Sequence, residues 1–490
     1  MQISVAELRI PDLEFGDNKA YYTDPRVGLA SAGPFSLRFG RAHKSQVRVG
    51  IVGPRAMMND ARSWYRRCEG EVLTGKPGIL MYIDFPGFER AFQSVLVLTP
   101  SWEVDISNWL NSAMEQAGQS RFEGVLDAYT KGISKLSREQ SVDVIACCLP
   151  AEVVASCWSI TRKLTRIERS ELRRARGEEE SGQLSFDTLW VPDDTPEELL
   201  QRDFRRALKA WAMETNTPIQ IVTSGLLYDD RANQDAGTRA WNSNVALFYK
   251  AGGIPWRVRP IAVETCFVGI SFHYLRTTKV DLMYSSIAQA FSSEGDGFAL
   301  KGESVPRESE WQRSPHLTAD QARKLGSKVL AEYRERTGRD PARIVLHKTT
   351  PFSPDERAGF LSAYAQIPLV EFVNIAPSEF RLVQRSAYPP KRGTLCRIND
   401  DATYVFTTGY IPEWKTYPGM HVPVPLKIIT DRETDILRTA SDVLALARMN
   451  WNTAFDTTGA PITLRFARQV GGIMAEVGRR DPSPSYRFYM

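Results

Sequence analysis

Three cations and an amide recur in a pattern that could grip a phosphate. Arg205 and Lys209 fall four positions apart in PEELLQRDFRRALKAWAME, Gln220 follows in TPIQIV, and Lys250 closes TRAWNSNVALFYKAGG. Two cations one helical turn apart, an amide donor and a third cation suit a doubly charged terminal phosphate, which favours several charge-assisted hydrogen bonds. The same spacing describes a solvated helix flank, on which Arg202 would join Arg205 and Lys209. Spacing alone leaves both readings open.

Other chemistries find less support. The six cysteines are scattered without a CxxC pair, so reduced, mostly buried thiols are expected, and the five histidines are too dispersed to complete a zinc site with them. No GxSxG, HExxH or GxxxxGK[ST] string occurs, and Gly295-Asp296-Gly297 reads as a hairpin turn rather than a phosphate loop. A metal-dependent nuclease would draw on carboxylates such as Asp281, Asp296, Glu303 or Asp400.

The elements that must position these residues are readable from periodicity. Ser141–Pro150 is a continuous apolar run of strand length, expected to be covered on both faces. Thr195-Pro196-Glu197-Glu198 carries a capping box and predicts a helix containing Leu200, Phe204, Leu208 and Trp211. Thr217–Val222 reads as a short strand, and Thr238–Gly253 as a helix with Trp241, Val245 and Phe248 inward and a stop at Gly252-Gly253. Beyond Pro255, strands are expected over Ile261–Leu275, Arg343–Lys348 and Leu369–Ile375. Helices are expected over Thr318–Thr337, Pro354–Ala365 and Asp431 to about Asn450. Helices alternating with apolar strands predict two α/β layers joined near Gly252–Pro260. The segment Arg162–Glu180, dense in both charge signs, reads as a solvated helix or insertion, with a nucleic-acid contact as the other reading.

Composition bounds these readings. The 490 residues suffice for two to four domains, and 42% hydrophobic with 24% charged residues excludes a disordered or fibrous chain. Lys+Arg 62 against Asp+Glu 58 leaves a net charge of +4, so only local clustering could support nucleic-acid binding. No membrane-length apolar run and no secretory leader pattern is present, and a cytoplasmic location is expected.

Longer strings carry a family resemblance. NVALFYKAGGIPWRV (Asn244–Val258) resembles the end of the MID domain of Argonaute proteins. RIVLHKTTPFSPDERAGF (Arg343–Phe360) is similar to the PIWI strand and helix that usually carry His-Arg-Asp-Gly. PDLEFGDNKAYYTDPRVGLASAGPF (Pro11–Phe35) and the closing APITLRFARQVGGIM with its aromatic tail resemble the short prokaryotic Argonautes, which lack the N-terminal and PAZ domains. The resemblance implies an α/β chain with a Rossmann-like MID domain over 1–258, N-terminal segment included, and an RNase H-like PIWI domain over 259–490.

It also implies roles. The pocket for a guide 5′-phosphate falls on Arg205, Lys209, Gln220, Asn242 and Lys250, with Arg465 or Arg468 reaching in from PIWI. Ala246 stands where eukaryotic relatives place a further lysine, so Mg²⁺ is expected to supply that charge, with the C-terminal carboxylate of Met490 as its ligand. The PIWI catalytic carboxylates align with Ser271 and Thr349, and the last position falls near Asn450-Trp451-Asn452. Glu303 stands near the glutamate finger, but one carboxylate cannot hold two metals, and Lys348 would repel them. The implied protein does not slice. It pairs a 5′-phosphorylated guide RNA with single-stranded target DNA and activates an APAZ-containing effector (TIR, sirtuin-like or nuclease) in defence against plasmids and phages, with a higher oligomer on activation. The N-terminal segment is a docking surface for that partner or ordinary domain structure. The alternative is a metal-dependent guide-directed nuclease, and a third reading is a scaffold with a vestigial pocket.

Overall fold

The computed structural model describes residues 2–17, 21–163, 199–259, 264–276, 281–288, 298–305, 316–383, 389–399, 402–419, 422–454, 459–477 and 483–489. The expected turn at Gly295-Asp296-Gly297 and most of the charged segment Arg162–Glu180 lie outside them.

In the first half, the run expected as a doubly covered strand is one: Val144–Leu149 is buried at every position. It lies between Gln46–Gly53 and Ile219–Thr223, parallel to both, and Val95–Val97 and Glu103–Asp105 add in parallel to Gln46–Gly53. Its alternate side chains feed two cores. Val144, Ala146 and Cys148 pack with Trp64, Trp241, Val245 and Phe248. Ile145, Cys147 and Leu149 pack with Phe122, Tyr129, Phe204 and Leu208. Strand alternation thus serves helices on opposite faces of one parallel sheet.

The second half is built on a mixed sheet. Its order is Ile3–Glu7, Thr394–Ile398, Ala402–Val405, Leu426–Ile429, Leu369–Pro377, Arg343–Lys348, Thr265–Arg276, Asp281–Ala288, Ala299–Val305. Leu369–Pro377, Arg343–Lys348 and Thr265–Arg276 run parallel at its centre, with Ile270, Lys348 and Asn374 in register. Helices Ala319–Thr337 and Pro354–Ala363 pack on one face through Leu325, Val329 and Phe360. Helix Ile436–Leu446 and Leu464 of helix Ile462–Val477 pack on the other.

Two features depart from the sequence reading. Ile3–Glu7 pairs with Thr394–Ile398, and Leu13–Glu14 with Arg257–Val258. The N-terminal segment therefore contributes its first strand to the second sheet, although the sequence division at 258 places it with the first half. The helix start expected at Thr195–Glu198 lies outside the described residues, and the helix that carries Phe204 and Leu208 begins at Phe204. Leu199–Asp203 is a strand paired with Ser159–Lys163, and Asp203 caps the helix by accepting from the Arg206 N–H at 2.9 Å. Cross-strand pairing outweighs the local capping signal, so Leu200 and Arg202 are not on the helix.

All six cysteines are free and buried, as expected of reduced thiols.

Candidate anion-binding site

A cavity of about 520 Å³ opens beside the edge strand Ile219–Thr223, where the first sheet meets helix Ile462–Val477 of the second half. Its lining brings together Arg205, Lys209, Gln220, Asn242, Ala246, Lys250 and Arg465. Ligands of parallel α/β sheets bind beyond the carboxyl ends of strands, and Thr223, the last residue of Ile219–Thr223, also lines it. Arg468 lies on the same helix as Arg465, but its side chain is outside the described residues, as is Met490.

Each cation arrives on a different support. Helix Phe204–Ala212 buries Phe204 and Leu208 and presents Arg205 and Lys209 on its cavity flank. The Lys209 Nζ donates to the Tyr489 carbonyl at 3.2 Å, which brings the C-terminal tail to the cavity. Helix Ala236–Lys250 ends in Lys250, whose Nζ donates to Gln220 Oε1. Helix Ile462–Val477 adds Arg465 and, one turn on, Gln469.

Among the described residues, no Asp or Glu lines the cavity. Burial and the proximity of other cations act together on Lys209 and Lys250. Burial, then Arg205 and Lys250, pushes Lys209 well below the usual lysine range. Burial and then Arg205 bring Lys250 down to about 7. Arg205 keeps surface open to the cavity, yet desolvation by the surrounding protein lowers its pKa too. An incoming polyanion would reverse these shifts, because an opposite charge within about 4–6 Å favours the protonated form.

Asn242 works differently from the sequence expectation. Its Oδ1 accepts from Thr453 Oγ1 and from the Ala454 N–H, each at 2.9 Å, and its Nδ2 donates to Gln234 Oε1. It lines the cavity but also pins the loop that carries Asn452 to the wall. Trp158, Gln234, Arg239, Asn452 and Gln469 were not picked out from the sequence as part of this site. The spacing of Arg465 and Gln469 on one helix face is a usable signal; Trp158 has none, since it is placed by the pairing of Ser159–Lys163 with Leu199–Asp203 and by the Phe204 N–H that its carbonyl accepts. Arg239 is tied to the Leu226 carbonyl and Asp229.

The positions aligned with catalytic carboxylates divide. Ser271 and Thr349 sit one residue past the Ile270–Lys348 register on neighbouring parallel strands. Asn450 is buried, with Met449 and Trp451 in the core shared with Trp241 and Tyr249 of the first half. Lys348 and Glu356 form a buried ion pair at 2.5 Å, and burial lowers the Lys348 pKa while Glu356 opposes the shift. Asp281 and Glu303 lie on the last two strands of the second sheet with side chains outside the described residues, and Asp296 and Asp400 lie outside them altogether. Among the described residues, no three His, Cys, Asp or Glu side chains converge as a metal site.

No family model and no curated protein matches the sequence. Solved structures do match. The structure of Clostridium butyricum Argonaute bound to a guide DNA with a 5′ deoxycytidine and a 19-mer target DNA is similar, with TM-score 0.62 and 15% identity over 99% of this chain and 55% of that one. Aa-Ago with externally-bound siRNA is similar with TM-score 0.57 and 15% identity over 99% of this chain and 56% of that one. The chain spans about half the length of these two structures. It has the mixed α/β fold of Argonaute proteins, as the resemblance implied. Among the described residues no helix is long and apolar enough to cross a membrane.

Proposed function

We propose that this protein holds the 5′-phosphate of a guide RNA in the cation-lined cavity and uses the guide to recognise single-stranded target DNA. The observation that supports this reading most is a cavity whose described lining brings Arg205, Lys209, Lys250 and Arg465, from both halves of the chain, together beside the Asp229-paired Arg239 and offers no carboxylate. The two similar structures are of Argonautes, one bound to a guide DNA and a target DNA and the other with externally-bound siRNA. In this proposal the protein does not slice, and target recognition is passed to a separate APAZ-containing effector (NADase or nuclease) acting against plasmids or phages, with a higher oligomer on activation. The alignment of Ser271 and Thr349 with catalytic carboxylates supports the first part; the short-Argonaute resemblance of the chain's opening and close supports the second.

Mg²⁺ at the phosphate belongs to the same proposal. The described lining offers it no carboxylate, so the ion would need phosphate oxygens and the Met490 carboxylate. The Tyr489 carbonyl on Lys209 supports that arrangement by bringing the tail close.

Lys209→Ala and Lys250→Ala are expected to weaken binding of a 5′-phosphorylated guide RNA by roughly tenfold or more, from the loss of a charge-assisted hydrogen bond, and to leave a 5′-hydroxyl guide much less affected. Equal losses for both guides would remove the phosphate assignment. Identification of the co-purifying subunit and sequencing of bound oligonucleotides test the partner and the guide.

A further inference from the structure

We propose that Glu476 is a positioning residue of the cavity, fixing the helix that carries Arg205 and Lys209 against the helix that carries Arg465 and Gln469. The inference rests on the phosphate-binding reading and adds how the cations of the two halves are brought to one anion.

Glu476 lies near the end of helix Ile462–Val477, whose earlier turns present Arg465 and Gln469 to the cavity. Its carboxylate uses both oxygens on the first half. Oε2 accepts from Arg202 Nε at 2.8 Å and Oε1 accepts from the Asp203 backbone N–H at 3.1 Å. These donors immediately precede helix Phe204–Ala212, and Asp203 is that helix's own cap. Arg202 is in turn held by Glu123 and lies over the Phe122 ring at 5.0 Å, so helix Gly118–Glu139 braces the joint from behind.

A second contact tightens the crossing. Arg206 lies along Gly472, where a Cβ would come within 2.8 Å of Nε. Glu476 and Gly472 are one turn apart, so the two helices are registered at two points on one face. The Arg202 and Glu476 side chains are only 13% and 8% exposed, a setting in which charge-assisted hydrogen bonds hold geometry well. The ion pair sits immediately before the helix that presents two of the cavity's cations, Arg205 and Lys209. A shift of that helix alters the spacing of Arg205 and Lys209 to Arg465, and a displacement of about 1 Å is enough to disrupt convergent recognition.

The test compares a 5′-phosphorylated and a 5′-hydroxyl single-stranded RNA of one sequence on the full chain. The unaltered protein is expected to prefer the phosphorylated strand. Glu476→Ala is expected to lose roughly tenfold of that preference with 5′-hydroxyl binding unchanged. Glu476→Gln, which still accepts from Asp203, is expected to recover most of it. In a Lys209→Ala background Glu476→Ala should add little, because the residue acts through the cations. Glu476→Asp keeps the charge but shortens the reach, so it should lower the preference at unchanged melting temperature, which keeps the test decisive if the alanine variant does not fold. No preference in the unaltered protein would overturn the phosphate reading and this inference with it. A preference that survives in Glu476→Ala and Glu476→Asp, or equal loss for both strands, would overturn the positioning role alone.

Discussion

Lys250 donates to Gln220 across the cavity, tying the last turn of one helix to the edge strand of the first sheet. The partner is a neutral amide, so the buried ammonium is oriented without being neutralised. A pocket built to be stable when empty would place a carboxylate there, and the described lining holds none.

That pairing predicts a pH dependence. Lys250 has a folded pKa of about 7, below the unfolded lysine value of roughly 10.4. Between these values the unfolded chain holds more protons than the folded one, so stability of the ligand-free protein should rise with pH across that window. Anion binding restores the proton. Affinity for a 5′-phosphorylated RNA should therefore fall as pH rises above about 7, by up to roughly tenfold per pH unit for one coupled proton. Lys250→Arg, charged throughout, should flatten the profile. Calorimetry in buffers of different ionisation enthalpy should register proton uptake at pH 8, and its absence would contradict the assignment.

Asn242 separates support from charge. Asn242→Ala leaves the Ala454 N–H and Thr453 hydroxyl without their acceptor and should cost about 1–3 kcal/mol in urea unfolding. Asn242→Asp can still accept both bonds, so stability should largely return. Its added negative charge beside the cavity should nevertheless weaken 5′-phosphate binding. If the aspartate variant bound the phosphate as well as the parent, the electrostatic account of the cavity would be wrong.

The central strands of both sheets are legible in sequence to different degrees: Val144–Leu149 is apolar throughout, whereas in Arg343–Lys348 only Ile344, Val345 and Leu346 are apolar between basic residues. The cation set of the cavity is partly legible for a different local reason, since Arg205 and Lys209 are one turn apart and Lys250 sits at a helix end signalled by Gly252-Gly253. What escaped is long-range. Asn452, Gln469 and Glu476 meet residues more than 200 positions away, as in Asn242 with Ala454 and Asp203 with Glu476, and no local spacing encodes that approach. The capping box at Thr195 misplaced a helix start because the pairing of Leu199–Asp203 with Ser159–Lys163, a tertiary contact, sets where the helix begins.

Lys348 and Glu356 predict a stability effect. Both side chains are 1% exposed, and Glu356 also accepts from the N–H groups of Leu317 and Ser353. Phe272 and Phe352 lie 5.1 and 5.5 Å from the ammonium. Glu356→Ala strands a buried cation and two donors and should cost about 3–5 kcal/mol. Replacing both members, Lys348→Met with Glu356→Gln, should be milder than Glu356→Ala, because no buried charge is left unpaired. Denaturant unfolding of the three variants checks the order, and the reverse order would show that the pair is not what holds this strand end.

The same strand ends bear on cutting. Ser271 and Thr349 follow Ile270 and Lys348, which are in register on neighbouring strands, so carboxylates at these two positions would lie close enough to repel. Hydroxyls there offer hard cations little. With a guide and Mg²⁺ or Mn²⁺, the parent protein is expected to leave a complementary DNA strand uncut at any guide-defined position, and specific fragments would restore the nuclease reading. Ser271→Asp with Thr349→Asp should lower the melting temperature through mutual repulsion, and Mn²⁺ should recover part of that loss in the double variant while leaving the parent unmoved. A parent protein that Mn²⁺ stabilises as strongly as the variant would mean that other carboxylates of this chain already hold the metal, and the non-slicing proposal would fail with it.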